Sequence, residues 1–225
     1  MGFDWQWEFT LQIIPAILRA LGVSLLATII GFGLALFLGL IFLIAQRTRF
    51  RPFNWIVRET VNFIRTTPIL VQLFFIFYVL PQLGVTLSPW VAGMLTLGLH
   101  YGAYLSEVYR GALMSVPKGQ FEACTAIGLS PLKTIMRIII PQALPASLPG
   151  VRIYLVGCFK DTSVLSVISI AEMVQVATTL GTNTYRFLEP FTVIGVVSML
   201  VAVPLFLLLT WLERFLSSSI RGLRK

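Results

Sequence analysis

Five stretches of this chain stay apolar for about 20 residues or more, the length a helix needs to cross a bilayer core. They lie near residues 20–45, 57–80, 90–114, 145–170 and 191–212. Ahead of the first, Pro15 and Arg19 interrupt the apolar run, so residues 9–18 read as a separate interfacial helix. The second stretch is amphipathic in its first half, with Arg58, Glu59 and Arg65, and Pro68 falls inside it. A proline there kinks a helix and frees the carbonyl four residues back, at Ile64. The fourth stretch holds Arg152, Lys160 and Asp161. "PQLGVTLSP" is a short uncharged connection, and "ATTLGTNTYRFLEP" reads as a loose one. Nothing suggests an internal repeat or a second domain. Residues 1–225 form one all-α integral membrane domain of about five transmembrane helices.

The basic residues alternate in side. Arg47, Arg49, Arg51 and Arg58 follow the first stretch. Arg110, Lys118, Lys133 and Arg137 follow the third, and Arg214, Arg221, Arg224 and Lys225 follow the fifth. The other side has only Arg186, against Asp4, Glu8, Glu172 and Glu189. Cytoplasmic loops carry the excess of Lys and Arg, which predicts the N-terminus outside and the C-terminus in the cytoplasm. Trp5, Trp7, Trp90 and Trp211 fall at the ends of predicted spans, where interfacial tryptophans belong.

Composition agrees: 57% of residues are apolar and 12% charged, about half the charge of a soluble domain. The net charge of +8 does not imply a nucleic-acid partner, because the basic residues flank apolar runs and build no continuous patch. Cys124 and Cys158 fall at the cytoplasmic side and inside the membrane, which argues against a structural disulfide. "MGFDWQWEF" is acidic and aromatic, unlike a cleavable basic leader.

One polar segment, residues 115–137, interrupts the apolar pattern. Pro117 suits a first helical turn, and Gly128 stands where a C′ glycine would end the helix. Ser130 then reads as an N-cap with Pro131 at the next first position. The sequence thus spells helix, tight turn, helix. The first helix, at about 11 residues or ~16 Å, is too short to cross a bilayer. It either joins two spans along the membrane surface or docks a cytoplasmic partner, with small residues Ala123, Ala126 and Gly128 allowing close approach and Glu122 supplying charge.

This segment resembles the EAA motif, E-A-A-x3-G-x9-I-x-L-P, of the inner-membrane subunits of ABC importers. It reads Glu122-Ala123-Cys124, three residues, Gly128, nine residues, Ile138-x-Ile140-Pro141. The spacing matches throughout; Cys124 and Ile140 replace Ala and Leu. "RTTPILVQLFF", "SEVYRGALMSVPKGQFEA" and "KDTSVLSVI" resemble segments of the polar amino acid uptake branch, with Thr66 in place of its usual glycine. The resemblance spans nearly the whole chain and implies a type I ABC importer permease fold. It also implies a second permease subunit, identical or paralogous, two ATP-binding subunits that hold ATP and Mg, and an extracytoplasmic solute-binding protein, in a bacterial inner membrane. Glu122, Ala123, Gly128, Ile138 and Pro141 would then couple to the ATPase. "FYVLPQLGVTLSPWVAG", "HYGAYLSEVYRG" and "YRFLEPFTVIGV" are similar to permeases for ectoine-type compatible solutes, an alternative cargo.

Charges inside a span are expensive, roughly 2.5–3.5 kcal/mol each at a helix centre. Lys160 and Asp161, adjacent and so about 100° apart on a helix, need separate partners; with Thr162 and Ser163 they are candidates for the substrate path, or for pairing that fixes the bundle. Arg65 and Thr67 beside Pro68 form a second candidate spot, because broken helices are where transporters place substrate groups. Glu107 and Arg110, three apart, read as a structural pair. Arg152 and Arg19 could bind a carboxylate or snorkel. His100 reads as a packing or hydrogen-bonding residue, and Gly98-x3-Gly102-x3-Ser106 as a small-residue helix face.

The chain carries no phosphate-binding loop of the G-x-x-x-x-G-K-[ST] type and no residue cluster at metal-ligand spacing. It is therefore expected to be no enzyme and to hold no cofactor of its own. The competing reading from another class is a secondary transporter or channel that works without ATPase subunits.

Overall fold

The structure is a computed structural model that describes residues 4–48 and 50–222; within α9, the side chains of Leu212 and of residues 215–222 lie outside the described part. Of the basic residues used for orientation, Arg49, Arg224 and Lys225 fall outside it, as does the Arg221 side chain. The described residues form helices and no strand: α1 (Trp7–Ala45), α2 (Arg51–Thr66), α3 (Ile69–Phe74), α4 (Pro89–Met114), α5 (Lys118–Ala126), α6 (Pro131–Thr134), α7 (Ile140–Asp161), α8 (Met173–Thr184) and α9 (Leu188–Gly222). By length and apolarity, α1 and α9 each suffice to cross a membrane. Two bent pairs pass the same test jointly: Arg51–Thr66 with Ile69–Leu83, and Pro131–Ile168 with Met173–Thr184. The remaining expected span, α4, has 26 residues, about 39 Å. It is more polar and largely enclosed by the others.

Four local expectations need correction. Residues 9–18 and 20–45 are not two helices; α1 runs unbroken through Pro15 for 39 residues. Ile13, Ile17 and Ala20 lie on one buried stripe against Met173, Ala177 and Ile194, so tertiary packing holds the turn that Pro15 weakens. The second stretch is not merely kinked. It breaks at Pro68 by 110°, because Thr67, the residue before proline, is held extended at φ −95°, ψ 136°. The fourth helix starts well before residue 145, and its backbone leaves the α conformation after Asp161, in a 3-10 segment Thr162–Ile168. Finally, most of "ATTLGTNTYRFLEP" is helical, as α8. Glu172 caps it: its carboxylate accepts the Val174 and Gln175 backbone N–H groups at 2.9 and 2.8 Å.

Two prolines reshape helices in the same way. The π turn Phe75–Val79 ends two residues before Pro81, and the π turn Ile135–Ile139 ends two residues before Pro141. A proline ring strikes the carbonyl four residues back. Widening the turn by one residue moves that carbonyl aside, and the Leu80 and Ile140 N–H groups bond Phe75 and Ile135 instead. The helix of the fourth stretch therefore continues through Pro141 without breaking.

The centre of the bundle is a close seam between α1 and α4. Small residues alternate with leucines across it. A Cβ on Gly31 would lie 2.9 Å from Leu97, and one on Gly98 would lie 2.6 Å from Leu34. At Gly39 it would meet Leu105 at 2.9 Å and the Gly102 carbonyl at 3.2 Å. The sequence showed the α4 half of this seam, Gly98 and Gly102; its complement on α1 is Gly31, Ala35 and Gly39, at the same four-residue spacing. Around the seam pack Phe32, Leu73, Tyr101, Cys158 and Leu165 from α1, α3, α4 and the end of the fourth stretch. Arg152, left ambiguous by its sequence, binds Glu213 of α9 at 2.8 Å and Thr210 at 2.7 Å, with its guanidinium over Phe206. It fixes α7 to α9. Cys124 and Cys158 are both free and buried.

The seam yields a controlled test. Gly39→Val meets backbone and should cost roughly 1–3 kcal/mol, as overpacking does. Gly33→Val has nothing within 4 Å of its added Cβ and should be close to neutral. Thermal unfolding of the two variants in detergent measures the difference; equal midpoints would contradict the seam.

Candidate functional site: the coupling segment and a polar network

The polar segment folds as its grammar indicates, with one helix shorter than expected. α5 has nine residues, about 14 Å. It closes with a Schellman motif: the Leu129 N–H bonds the Cys124 carbonyl at 2.9 Å and the Gly128 N–H bonds Thr125 at 3.0 Å. Gly128 takes φ +71°, a conformation that disfavours any side chain. Ser130 is extended ahead of Pro131, as an N-cap residue should be, but its hydroxyl makes no capping bond.

α5 is seated on the bundle by one face only. Cys124 is its buried residue. Beneath it, Ala112, Val116, Ile139 and Ala143 cluster with Ile138 against them, and Gln142 Nε2 donates to Gln120 Oε1 at 3.2 Å and to the Ile138 carbonyl at 3.0 Å. Glu122, Ala123 and Gly128 are exposed, as are Ile127 at 73% and Leu132 at 71%. Pro141 is exposed just past the π turn. Hence Glu122, Ala123 and Gly128 form an outward face, while Ile138 helps to anchor it. The Cys124 departure from the EAA pattern points inward, away from any docking surface.

The second group of candidates meets at the Pro68 break. The Ile64 carbonyl freed by Pro68 is not left bare. Gln72 Nε2 donates to it at 2.7 Å and to the Thr67 carbonyl at 3.0 Å. Gln72 Oε1 lies 3.3 Å from His100 Nδ1, and the His100 ring stacks edge-on with Tyr101 and Tyr104. Tyr104 donates its hydroxyl to the Arg65 carbonyl at 2.7 Å and lies beneath the Arg65 guanidinium. Tyr101 donates to Asp161 Oδ2 at 2.7 Å. Tyr154 packs on both tyrosines. A continuous chain of polar and aromatic contacts therefore runs from the α2–α3 break, across α4, to the end of α7.

Within this frame the sequence candidates separate. Lys160 and Asp161 have different surroundings, as adjacent helical residues must: Asp161 faces Tyr101, whereas Lys160 is exposed and makes no ion pair among the described residues. The hydroxyl of buried Thr162 donates to the Phe159 carbonyl, and the half-buried Ser163 offers its carbonyl to Ser166. Thr67 turns its hydroxyl back to Phe63. Glu107 and Arg110 do pair, at 2.5 Å, and Arg65 joins Glu107 at 4.0 Å. Arg19 is exposed and reaches only the Pro15 carbonyl.

Sequence reasoning passed over Gln72, Tyr101, Tyr104 and Tyr154. The signal for Gln72 was present: an amide in an apolar helix, one turn past a proline that strips a carbonyl of its donor. Tyr101 and Tyr104 sit three apart, on one face of α4. Their partners come from helices distant in sequence, so no local pattern names them.

A family model described as "Binding-protein-dependent transport system inner membrane component" matches residues 38–218. The probable amino-acid ABC transporter permease protein y4tG of Sinorhizobium fredii is 38% identical, covering 90% of each chain. The L-cystine transport system permease protein TcyB of Bacillus subtilis is 37% identical over 80% of this chain and 78% of its own. The glutamine transport system permease protein GlnP of Escherichia coli is 32% identical over 95% of this chain and 98% of its own. Among solved structures, an amino acid ABC transporter crystallised with histidines superposes with a TM-score of 0.88 at 26% identity, covering 94% of this chain and 99% of that one. The MetNI methionine ABC transporter shares the fold, with a TM-score of 0.66 at 17% identity over 95% of this chain and 99% of that one. The match over most of the sequence and over the whole helical arrangement leads to one conclusion: the chain belongs to the binding-protein-dependent transport system inner membrane components, the permease subunits of ABC importers.

Proposed function

We propose that this permease passes polar amino acids or related small zwitterions across the inner membrane by alternating access, driven through α5 by separate ATPase subunits. It is a multi-pass membrane subunit, and ATP binding and hydrolysis belong to its partner. The observation that carries the coupling role is α5 itself. A nine-residue helix cannot span a bilayer, yet its end is rigidly capped, one face is anchored through Cys124 and Gln120, and Glu122, Ala123 and Gly128 are left outward. An ATPase seated there would push on Ile138 and the α7 helix behind it. The basic-residue pattern places this end in the cytoplasm, with the N-terminus outside.

The cargo class rests on two supports: the amino-acid transport named for y4tG, TcyB and GlnP, and the polar cluster of Arg65, Tyr104 and Tyr154, with Lys160 exposed separately at the end of α7. A zwitterion brings one carboxylate and one ammonium. Arg65 and Lys160 offer cations to the first; Asp161 and the aromatic rings suit the second. The amino-acid reading is favoured over both the compatible-solute and the stand-alone secondary-transporter alternatives. The assembly contains two permease subunits, two ATP-binding subunits and an external solute-binding protein.

Two measurements probe these roles separately. Glu122→Ala and Gly128→Val should insert and assemble normally but lose most uptake in proteoliposomes while basal ATP hydrolysis persists; uptake equal to wild type would remove α5 from the coupling path. Lys160→Ala should weaken amino-acid uptake about tenfold or more, the effect of one lost charge-assisted contact, with the unfolding midpoint unchanged. Unaltered uptake would leave Lys160 outside the path.

A further inference from the structure

At the α5 end of the bundle, α1, the turn that follows it, α2 and α4 border a half-open cavity of about 130 Å³ lined by Leu43, Gln46 and the exposed Arg47, Arg58 and Arg110. Three of its five lining residues are cations and none is an anion. Arg110 is already held by Glu107. Arg47 and Arg58 make no ion pair among the described residues. With Arg110 paired to Glu107, the exposed Arg47 and Arg58 leave a net positive charge at this cavity.

A second, independent feature points the same way. Gln46 is only 8% exposed, and its Nε2 is buried with no acceptor. Leaving a buried donor unpaired costs roughly 1–3 kcal/mol. Gln46 lines the cavity, its backbone carbonyl is taken by Asn54 Nδ2, and its Nε2 is buried behind the cavity wall. An oxygen-rich anion would satisfy Gln46 Nε2 and the free forks of Arg47 and Arg58 together. Guanidinium forks match phosphate oxygens in pairs.

The surroundings indicate where such an anion comes from. α2 is strongly amphipathic: Arg51, Arg58 and Glu59 share it with exposed Phe53, Trp55, Ile56 and Phe63. A helix of that make-up lies in the bilayer interface, at headgroup depth. Arg58 lines the cavity and also a wider cleft of about 490 Å³ that opens beside Trp55 and Arg51. The geometry points to a phosphate-binding site formed by Gln46, Arg47, Arg58 and Arg110, placed to take the phosphate of an anionic phospholipid headgroup. Its occupant would tie the α1–α2 loop to α4 just before α4 leads into the coupling segment.

The test uses the permease purified with its ATP-binding subunit in a non-ionic detergent. Its unfolding midpoint is followed against dioctanoyl phosphatidylglycerol, dioctanoyl phosphatidylcholine and inorganic phosphate. The expected result is a saturable rise with phosphatidylglycerol, much weaker with phosphatidylcholine, whose half-saturation moves about tenfold or more in Arg47→Gln/Arg58→Gln. Gln46→Leu should weaken the response as well, while Arg19→Gln, remote from the cavity, should not. A similar rise with inorganic phosphate, lost in the same variants, would support the site and identify free phosphate as a sufficient ligand. No saturable rise with either anion, equal responses to both lipids, or a double variant that responds like wild type would overturn the proposal. If a variant fails to fold, lipid retained by the wild-type complex decides: native mass spectrometry should find phosphatidylglycerol bound, and its complete absence would count against the site.

Discussion

Everything else in this structure hangs on how closely α1 and α4 approach. A membrane gives no hydrophobic drive for two apolar helices to pair, so contact must come from packing. Here Gly31, Ala35 and Gly39 face Gly98 and Gly102, with Leu34, Leu38, Leu97 and Leu105 filling the gaps. The seam holds α4, more polar than α1 and α9, inside the bundle. His100, Tyr101, Tyr104 and Glu107 can then meet partners instead of lipid.

Proline sets the second constraint. Three prolines act on three helices, with two outcomes. Pro81 and Pro141 are each met by a π turn; past Pro141 the α-helix continues, while past Pro81 the chain runs on as a short 3-10 segment to Leu83. Pro68 is not absorbed, and the chain turns by 110°. The difference lies in what receives the freed carbonyl. At Ile64 a side chain, Gln72, supplies the missing donor, which lets the helix end there and start again in a new direction. That restart brings Gln72 to His100 and Arg65 over Tyr104. The break is thus both a shape and a polar surface.

Much of the architecture was legible before any coordinates. Helical character, the span near α4, the helix–turn–helix at residues 115–137 and the Glu107–Arg110 pair all follow from periodicity and caps. Misreadings arose where local propensity was outweighed. At Pro15 distant contacts hold the helix; at Pro141 a π turn carries it through; and the Thr/Asn-rich run before Tyr185 is helical behind the cap that Glu172 supplies. Ile13 and Ile17 have partners from α8 and α9, and α8 has a buried glutamate as its cap. Propensity is weighed in units of about 1 kcal/mol per residue; a buried stripe or a two-bond cap matches or exceeds that.

The sequence by itself determined that this is a helical membrane protein, and its EAA spacing marked the polar helix–turn–helix segment at residues 115–137, because apolar length and turn residues are local properties. Tertiary structure alone decided which charges have company. Lys160 and Asp161 look equivalent along the chain, yet Asp161 bonds Tyr101 while Lys160 stands open. Arg152 and Arg58 read alike as arginines beside apolar runs; one is neutralised by Glu213, and the other faces two more guanidinium groups. A pairing energy depends on distance, and distances between residues far apart in sequence exist only once the helices have packed.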